Sequence, residues 1–402
     1  MPLIRFTEHL IEAVKKTGKN VHLEHLEDEM LNSGYSGFVS SMKSITGLMD
    51  ALGANEPSAY DVTVKWDGAP AIFCGTDPST GKFFVGTKSV FNVTPKLNFT
   101  NADIDANHPE SGLNEKLKLA LKHLSKLGVR GVLQGDFLFK HDTLQREKID
   151  GKAYLTFQAN TIRYAVNVSS DLAKRMSAAK MGIVFHTAYE GNTMQDMSAR
   201  FNPDISYLKK SKDVWFDNAT LRVASGSALF SPTDRKTIEA SIQSLTRTAG
   251  SLKAILNAIG KNDGVKQAIK GYINSLVSKG VTSSHADVNQ LIAFLQSKSA
   301  LVRKKPSTKP TPTMEWIRKN RNLINRVFAL HNSVAQLKLV VRDKLASLEG
   351  EVSTFIKDGK GYRVTTPEGF VAIDRLTNQA VKIVDRLDFS RSNMTVEKSW
   401  KQ

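Results

Sequence analysis

Val62-Thr63-Val64-Lys65-Trp66-Asp67-Gly68 is a β-prone run that ends on a lysine and passes at once into a glycine turn. Three consecutive β-branched residues favour an extended strand, and glycine lets the backbone that follows come close to a ligand. A lysine on a rigid strand end, partly desolvated, is the type of amine that loses its proton and attacks an electrophile. Lys65 is therefore the candidate nucleophile, and the rest of the chain is read outward from it.

From Tyr60 onward, short runs of the same texture recur between Gly, Asp, Pro and Asn: PAIFCGTD at 70–77, KFFVGTKSVF at 82–91, GVLQGDFLF at 131–139, AYLTFQANTIRYAV at 153–166 and MGIVFHTAY at 181–189. One helical run, NEKLKLALKHLSKLG at 114–128, interrupts them. This pattern predicts an α+β core of antiparallel sheets with helices. Upstream, RFTEHLIEAVKK, NVHLEHLEDEMLNSG and SGFVSSMKSITGLMDALGA each read as a helix closed by a glycine-containing stop. Downstream, residues 232–300 have helical periodicity, a basic proline-punctuated linker covers 303–312, and a long helix is expected from Met314 to about Leu348, with one stripe running from Ile317 through Val327 and Val334 to Leu345. Strand texture returns in GKGYRVTT, EGFVAID and AVKIVDR. A helical block between two sets of strands reads as an insertion into one sheet domain. The expected division is a helical region 1–58, a core 59–231, a basic helical insertion 232–350, and completing strands in 351–402.

At 402 residues and 41% hydrophobic, the chain is long enough to bury more than one core. Its single cysteine, Cys74, has no partner for an internal disulfide, and no Cys/His set has zinc spacing. MPLIRFTEHLIEAVKK mixes apolar and charged residues, unlike a signal peptide or membrane helix, so a cytoplasmic protein with no membrane partner is expected. The net charge of +17 points to a polyanionic partner. Residues 231–350 hold 20 Lys and Arg against 7 Asp and Glu, a surplus of 13 that leaves only +4 for the remainder. Aromatic residues are sparse there, so the expectation is phosphate-backbone binding by the insertion, without base reading.

Lys65-x-Asp67-Gly68 resembles motif I of the covalent nucleotidyltransferases, the superfamily of ATP-dependent DNA and RNA ligases and capping enzymes. The chain then offers, in that superfamily's order, Gly86-Thr87-Lys88-Ser89, Gln134-Gly135-Asp136-Phe137-Leu138, Gly182-Ile183-Val184-Phe185-His186-Thr187, Pro367-Glu368-Gly369-Phe370-Val371 and Val381-Lys382-Ile383-Val384. The resemblance covers 60–230 and 351–390. It implies a ligase adenylation core, with Lys65 as nucleophile, Lys382 at the α-phosphate and Glu368 and Asp136 holding Mg2+ or Mn2+. Asp67, Gly68, Lys88, Asp136 and one of Phe185 or His186 would contact ATP. Two positions depart from the pattern: Asp136 stands where glutamate is usual, and Val384 where a second lysine is usual. As a whole the chain also resembles a family from large tailed phages of the T-even and cyanophage kind, through His22 to Asp28, Lys65 to Ala71 and Phe157 to Ile162.

Few residues follow Val384, which leaves no room for the OB fold of DNA ligases and tilts the expectation towards an RNA ligase acting on RNA or DNA ends. The alternatives are a DNA nick ligase, a GTP-dependent capping-type transferase, or a non-catalytic nucleic-acid-binding protein on a degenerate transferase fold. Asn160 and Arg163 fit either a structural hydrogen-bond network or a nucleotide contact. The His22-Leu-Glu-His-Leu-Glu-Asp28 run reads as a charged helix beside the core, not as a metal site.

Overall fold

The protein is described here by a computed structural model that covers residues 23–51, 59–149, 151–221, 230–303, 311–347, 353–358, 361–364 and 368–387. RFTEHLIEAVKK and most of the 303–312 linker lie outside these residues. The architecture is mixed α+β.

Three sheets carry the strands. The first has the order β1 (Glu24–His25), β15 (Ala380–Val384), β14 (Gly369–Asp374), β2 (Tyr60–Lys65). Its antiparallel register sets Gly369 opposite Lys65 on one side and opposite Val384 on the other, with Val371 opposite Lys382. The second sheet orders β10 (Ser198–Phe201), β9 (Met181–Glu190), β5 (Val132–Lys140), β3 (Ala71–Thr76) and β4 (Phe83–Gly86), with β11 (Val214–Asn218) parallel to β9. The third orders β13 (Gly361–Val364), β12 (Ser353–Asp358), β8 (Arg163–Asn167), β7 (Lys152–Gln158) and β6 (Gln145–Ile149). Residues 219–221 close on the free edge of β2, where the Val64 and Leu221 amides donate to Ala219 and Val62 carbonyls. The strand bearing Lys65 is thus fixed on both edges, one of them by strands from the far end of the sequence.

Helices fill the space around these sheets. After α1 (Glu29–Asn32) and α2 (Gly34–Ala51) come α3 (Asn101–Asn107), α4 (Ser111–Leu124) and α5 (Asp171–Ala178). Then follow α6 (Pro232–Ser251), α7 (Lys253–Lys261), α8 (Asp263–Ser278), α9 (Val288–Arg303), α10 (Pro312–Lys319) and α11 (Arg321–Ala346). One apolar core joins Leu26 to Met49, the buried faces of α6 to α11, and Phe370, Val381 and Ile383 of the first sheet. A second lies under α4, and a third, with Leu138, Phe157, Tyr164, Trp215 and Val384, lies between the second and third sheets.

Local structure departs from the sequence expectation at three points. AYLTFQANTIRYAV is not one strand but the hairpin β7–β8, with Phe157 opposite Tyr164 and residues 159–162 turning between them. The long C-terminal helix breaks at Asn320 into α10 and α11. Its stripe from Ile317 to Leu345 is nonetheless buried throughout, because both pieces face the same core. In the described part of NVHLEHLEDEMLNSG, Glu24–His25 form β1, which lies parallel to β15 with His25 opposite Lys382. A short 3-10 turn follows, burying Glu27 and Asp28 at 1% exposure each.

Candidate active site

Lys65 ends β2 and Glu368 immediately precedes β14, so the register that places Gly369 opposite Lys65 brings their side chains together. Lys65 Nζ lies 2.5 Å from Glu368 Oε2, an ion pair whose carboxylate is almost wholly buried and whose ammonium is about a quarter exposed. Gly369 has φ of +148°, and a Cβ there would stand 2.4 Å from the Ile383 carbonyl oxygen, so only glycine admits this strand start. Gly68 is required for a related reason: its Cβ would fall 2.5 Å from Asp136 Cβ. The loop after Lys65 is pressed directly against the Asp136 strand.

Two adjoining cavities open here. The larger, about 580 Å³, is bounded by Gly68, Lys88, Gln134, His186, Tyr189 and Lys382 among others, and no carboxylate lines it. The smaller, about 190 Å³, is lined by Lys65, Trp66, Asp136 and His186. His186 belongs to both and lies 3.8 Å from Asp136 through Nε2, while its Nδ1 meets Thr187 Oγ1 at 2.8 Å. The structure thus gathers Lys65, Lys88, Asp136, His186 and Lys382 around the two cavities, with Glu368 buried against Lys65 and lining neither.

The charges are interdependent. Burial alone would lower the Lys65 pKa, but Glu368, Asp136 and Asp67 outweigh it and hold the ammonium above its ordinary value. Burial pushes the Glu368 carboxyl up, against the opposing pull of Lys65. Lys382 is brought down to about 8 by burial and then by the Lys65 charge, with Glu368 and Glu24 opposing. Lys65 is therefore protonated at rest, a correction to the picture of an amine made neutral by desolvation alone.

Phe185 and Asp67 do not face the cavities. Phe185 is fully buried in the core under α4, with Phe216 at 6.5 Å, because strand alternation gives the cavity face to His186. Asp67 is 3% exposed and accepts hydrogen bonds from Asn160 Nδ2 (2.7 Å), Thr161 N (2.7 Å), Thr161 Oγ1 (2.8 Å) and Ile162 N (2.8 Å). It pins the β7–β8 turn beneath the lysine loop, which assigns Asn160 to a structural network. Its own amide donates to Tyr164 Oη at 2.7 Å, and the Tyr164 ring lies 4.9 Å from Trp66. Arg163 is taken up by Glu147 at 2.9 Å.

Sequence reading missed Lys116 and Gln134. From α4, Lys116 Nζ donates to the Ala69 carbonyl at 2.9 Å and props the loop after Lys65. Gln134 Oε1 accepts from Tyr189 Oη at 2.7 Å at the wall of the larger cavity. A lysine in a lysine-rich helix and a glutamine within an apolar strand carry no local signal of either contact. Among the described residues, no group of three or more His, Cys, Asp and Glu could hold a metal ion. Asp136 and Glu368 still suit a Mg2+-like cation, which takes one or two carboxylates and fills its sphere with water and phosphate oxygens. No described helix is long and apolar enough to cross a membrane.

A family model described as a family of unknown function, DUF6267, matches residues 20–398, and the chain belongs to that family. No curated protein and no solved structure matches it.

Proposed function

We propose that this member of the DUF6267 family is a covalent nucleotidyltransferase, in which Lys65 takes AMP from ATP and passes it to a polynucleotide 5′-phosphate for joining to a 3′-hydroxyl, as in an RNA ligase. The observation that carries the reading is the convergence of Lys65, Asp136 and Lys382, from strands up to 317 positions apart, on two adjoining cavities, the larger with lysines and no carboxylate in its wall, while Glu368 pairs with Lys65. The motif order shared with the nucleotidyltransferase superfamily supports it, as does the fit of an anionic nucleotide to Lys88 and Lys382.

In the adenylation step, the Lys65 ammonium first gives one proton to Glu368, the freed amine attacks the α-phosphorus, and the bond to the bridging oxygen breaks as pyrophosphate leaves and takes up the second Nζ proton. Glu368 suits that role because it touches Nζ and its buried carboxyl has a raised proton affinity. Lys382 offsets the charge that develops on the α-phosphate, and Lys88 receives the outer phosphates at the cavity rim. Asp136 and Glu368 would hold a divalent cation, which when bound supplies charge neutralisation for the departing pyrophosphate. Gln134 and His186 orient the nucleoside in the larger cavity. AMP then moves to the 5′-phosphate oxygen of the strand, freeing Lys65, and a 3′-hydroxyl displaces AMP to form the new phosphodiester. Exposed cations of the helical region, among them Lys236, Arg247, Lys261 and Lys279, are candidates for backbone contacts with that strand.

A second reading, a nucleic-acid-binding protein on a transferase-like frame, is favoured by the Glu368 ion pair that keeps Lys65 protonated. One experiment separates the two: incubation with α-labelled ATP and Mg2+, then denaturing electrophoresis. An acid-labile, base-stable adduct that vanishes in Lys65→Ala supports the enzyme; a parent protein that takes up no label overturns it. A parallel arm with GTP tests the nucleotide.

A further inference from the structure

The far end of α4 and the segment 204–213 bring a band of positive charge together on the surface of the second sheet's unit. Lys209 N donates to Leu127 O at 2.9 Å, and Arg130 stacks 5.2 Å above the Tyr207 ring. Lys180 N donates to Asp213 O at 2.8 Å, and Asp213 in turn lies 3.8 Å from Lys126 Nζ and 3.3 Å from His123. These contacts bring together Lys126, Arg130, Lys180, Lys209, Lys210 and Lys212, and Lys122 lies one helical turn before Lys126; all seven are exposed. The carboxylates of the segment are Asp204 and Asp213. Apart from Lys126, none of the seven cations has an ion pair among the described residues.

The helical region presents its charge differently, although it holds most of the surplus. Lys270, Lys338, Arg342, Lys344 and Arg235 are bound to Glu24, Glu27, Asp385, Asp234 and Asp50, so part of its positive charge is paired within the molecule. The band on the second sheet keeps its charge for an outside partner. It is also connected to the site: Leu113 lines the larger cavity, and nine residues of helix separate it from Lys122, about 14 Å at 1.5 Å per residue.

We infer that this band is a primary docking surface for the phosphate backbone of a single-stranded polynucleotide, leading its end towards the Lys65 cavity. Charge density selects a polyanion. Among the described residues, the large exposed apolar side chains are Val93, Leu323, Val340 and Leu376, none of them in the band, so it lacks the anchors a lipid surface would engage. Tyr207, the ring in the band, is covered by Arg130, so contact is with phosphates and sequence is not read. The destination of the strand end rests on the proposed transferase reading; the docking surface does not.

The test uses the full chain and fluorescence anisotropy with a 5′-phosphorylated single-stranded RNA of about twenty nucleotides, titrated between about 50 and 200 mM salt. Lys209→Glu/Lys210→Glu/Lys212→Glu is compared with the parent and with Arg146→Glu/Lys148→Glu/Lys152→Glu on β6 and β7, exposed cations away from the band whose loss should leave binding unchanged. The first triple variant should lose about two orders of magnitude in affinity and about 2 in the log–log salt slope, since each phosphate contact contributes roughly 0.7–0.9. Lys209→Gln/Lys210→Gln/Lys212→Gln should lose less, which guards against a folding artefact, and circular dichroism should match the parent throughout. A first triple variant that binds RNA with the parental salt slope overturns the proposal, as does a parent that prefers vesicles of anionic lipid to the RNA. Labelling with ATP is read separately: a parent that binds RNA through the band but takes up no AMP refutes the transferase and leaves the docking surface standing.

Discussion

Lys338 Nζ lies 2.7 Å from Glu27 Oε2, and each side chain is 1% exposed. The pair sits below β15, where Arg386 also reaches Asp28 at 2.9 Å and Glu27 at 3.6 Å, and His331 Nε2 meets Asp28 at 2.9 Å. Glu27 and Asp28, in a run that reads as a charged helix beside the core, form a buried clasp between the N-terminal segment, the helical region and the residues that follow the strand of Lys382. Removing Lys338 leaves the buried Glu27 charge with only the more distant Arg386 to offset it, so Lys338→Met should destabilise the fold by about 3 kcal/mol. Urea unfolding measures it, and a loss below 1 kcal/mol would contradict the buried pair.

The same clasp sets a response to acid. Burial would raise the Glu27 carboxyl, but Lys338, His25 and Arg386 outweigh it and hold it well below the usual carboxylate range. A carboxyl whose pKa is lower folded than unfolded contributes stability above its unfolded value, about 4.3, and loses it as pH falls further. Stability should therefore drop between about pH 4.3 and the lowered value, and this drop should be shallower in Glu27→Gln, already less stable at neutral pH. Parallel acid titrations of parent and variant by circular dichroism decide the point.

Glu368→Gln should slow self-adenylation by about two orders of magnitude at neutral pH, the scale for loss of one positioned group. The variant also loses the charge that holds the Lys65 proton, so the Lys65 pKa falls and the deficit should narrow as pH rises. A deficit independent of pH would assign Glu368 to the cation alone.

Lys382 titrates near 8, so its contact with the α-phosphate weakens as pH rises through that value. Lys382→Arg, charged throughout, should keep adenylation from falling on the basic side, whereas Lys382→Met should reduce it by about two orders of magnitude at any pH. Single-turnover labelling across pH 6.5–9.5 (about one unit and a half either side of 8) reads both.

Asp67→Ala should cost about 3 kcal/mol, because four hydrogen-bond donors of the 160–162 turn lose their shared carboxylate inside the protein. Asp67→Asn, which keeps part of that acceptor capacity, should cost less. Equal stability of Asp67→Ala and the parent, in chemical denaturation, would show that the turn is held by other contacts.

What the sequence determined by itself follows from local rules. Short β-prone runs between turn formers marked most strands of the α+β core, and the Ile317 to Leu345 stripe marked the buried face of α10 and α11, because both signals depend only on local backbone geometry. The lysine before a glycine turn was legible in the same way. The tertiary structure decided what depends on partners distant in the chain. Only the pairing of β14 with β2 places Glu368 on Lys65, 303 positions away, and so makes a resting ammonium where desolvation alone argues for a free amine. Alternation could not say which of Phe185 and His186 faces inward; the core under α4 takes the phenyl ring and leaves the imidazole to the cavity. Asp67 reads as a ligand contact until the β7–β8 turn, nearly a hundred residues on, is seen to occupy its carboxylate. Charge is the clearest case: the basic surplus of 231–350 is visible in composition, but which lysines are used inside the molecule and which remain for a partner depends on where the acidic N-terminal run folds, and Coulomb interactions follow distance in space and not position in the chain.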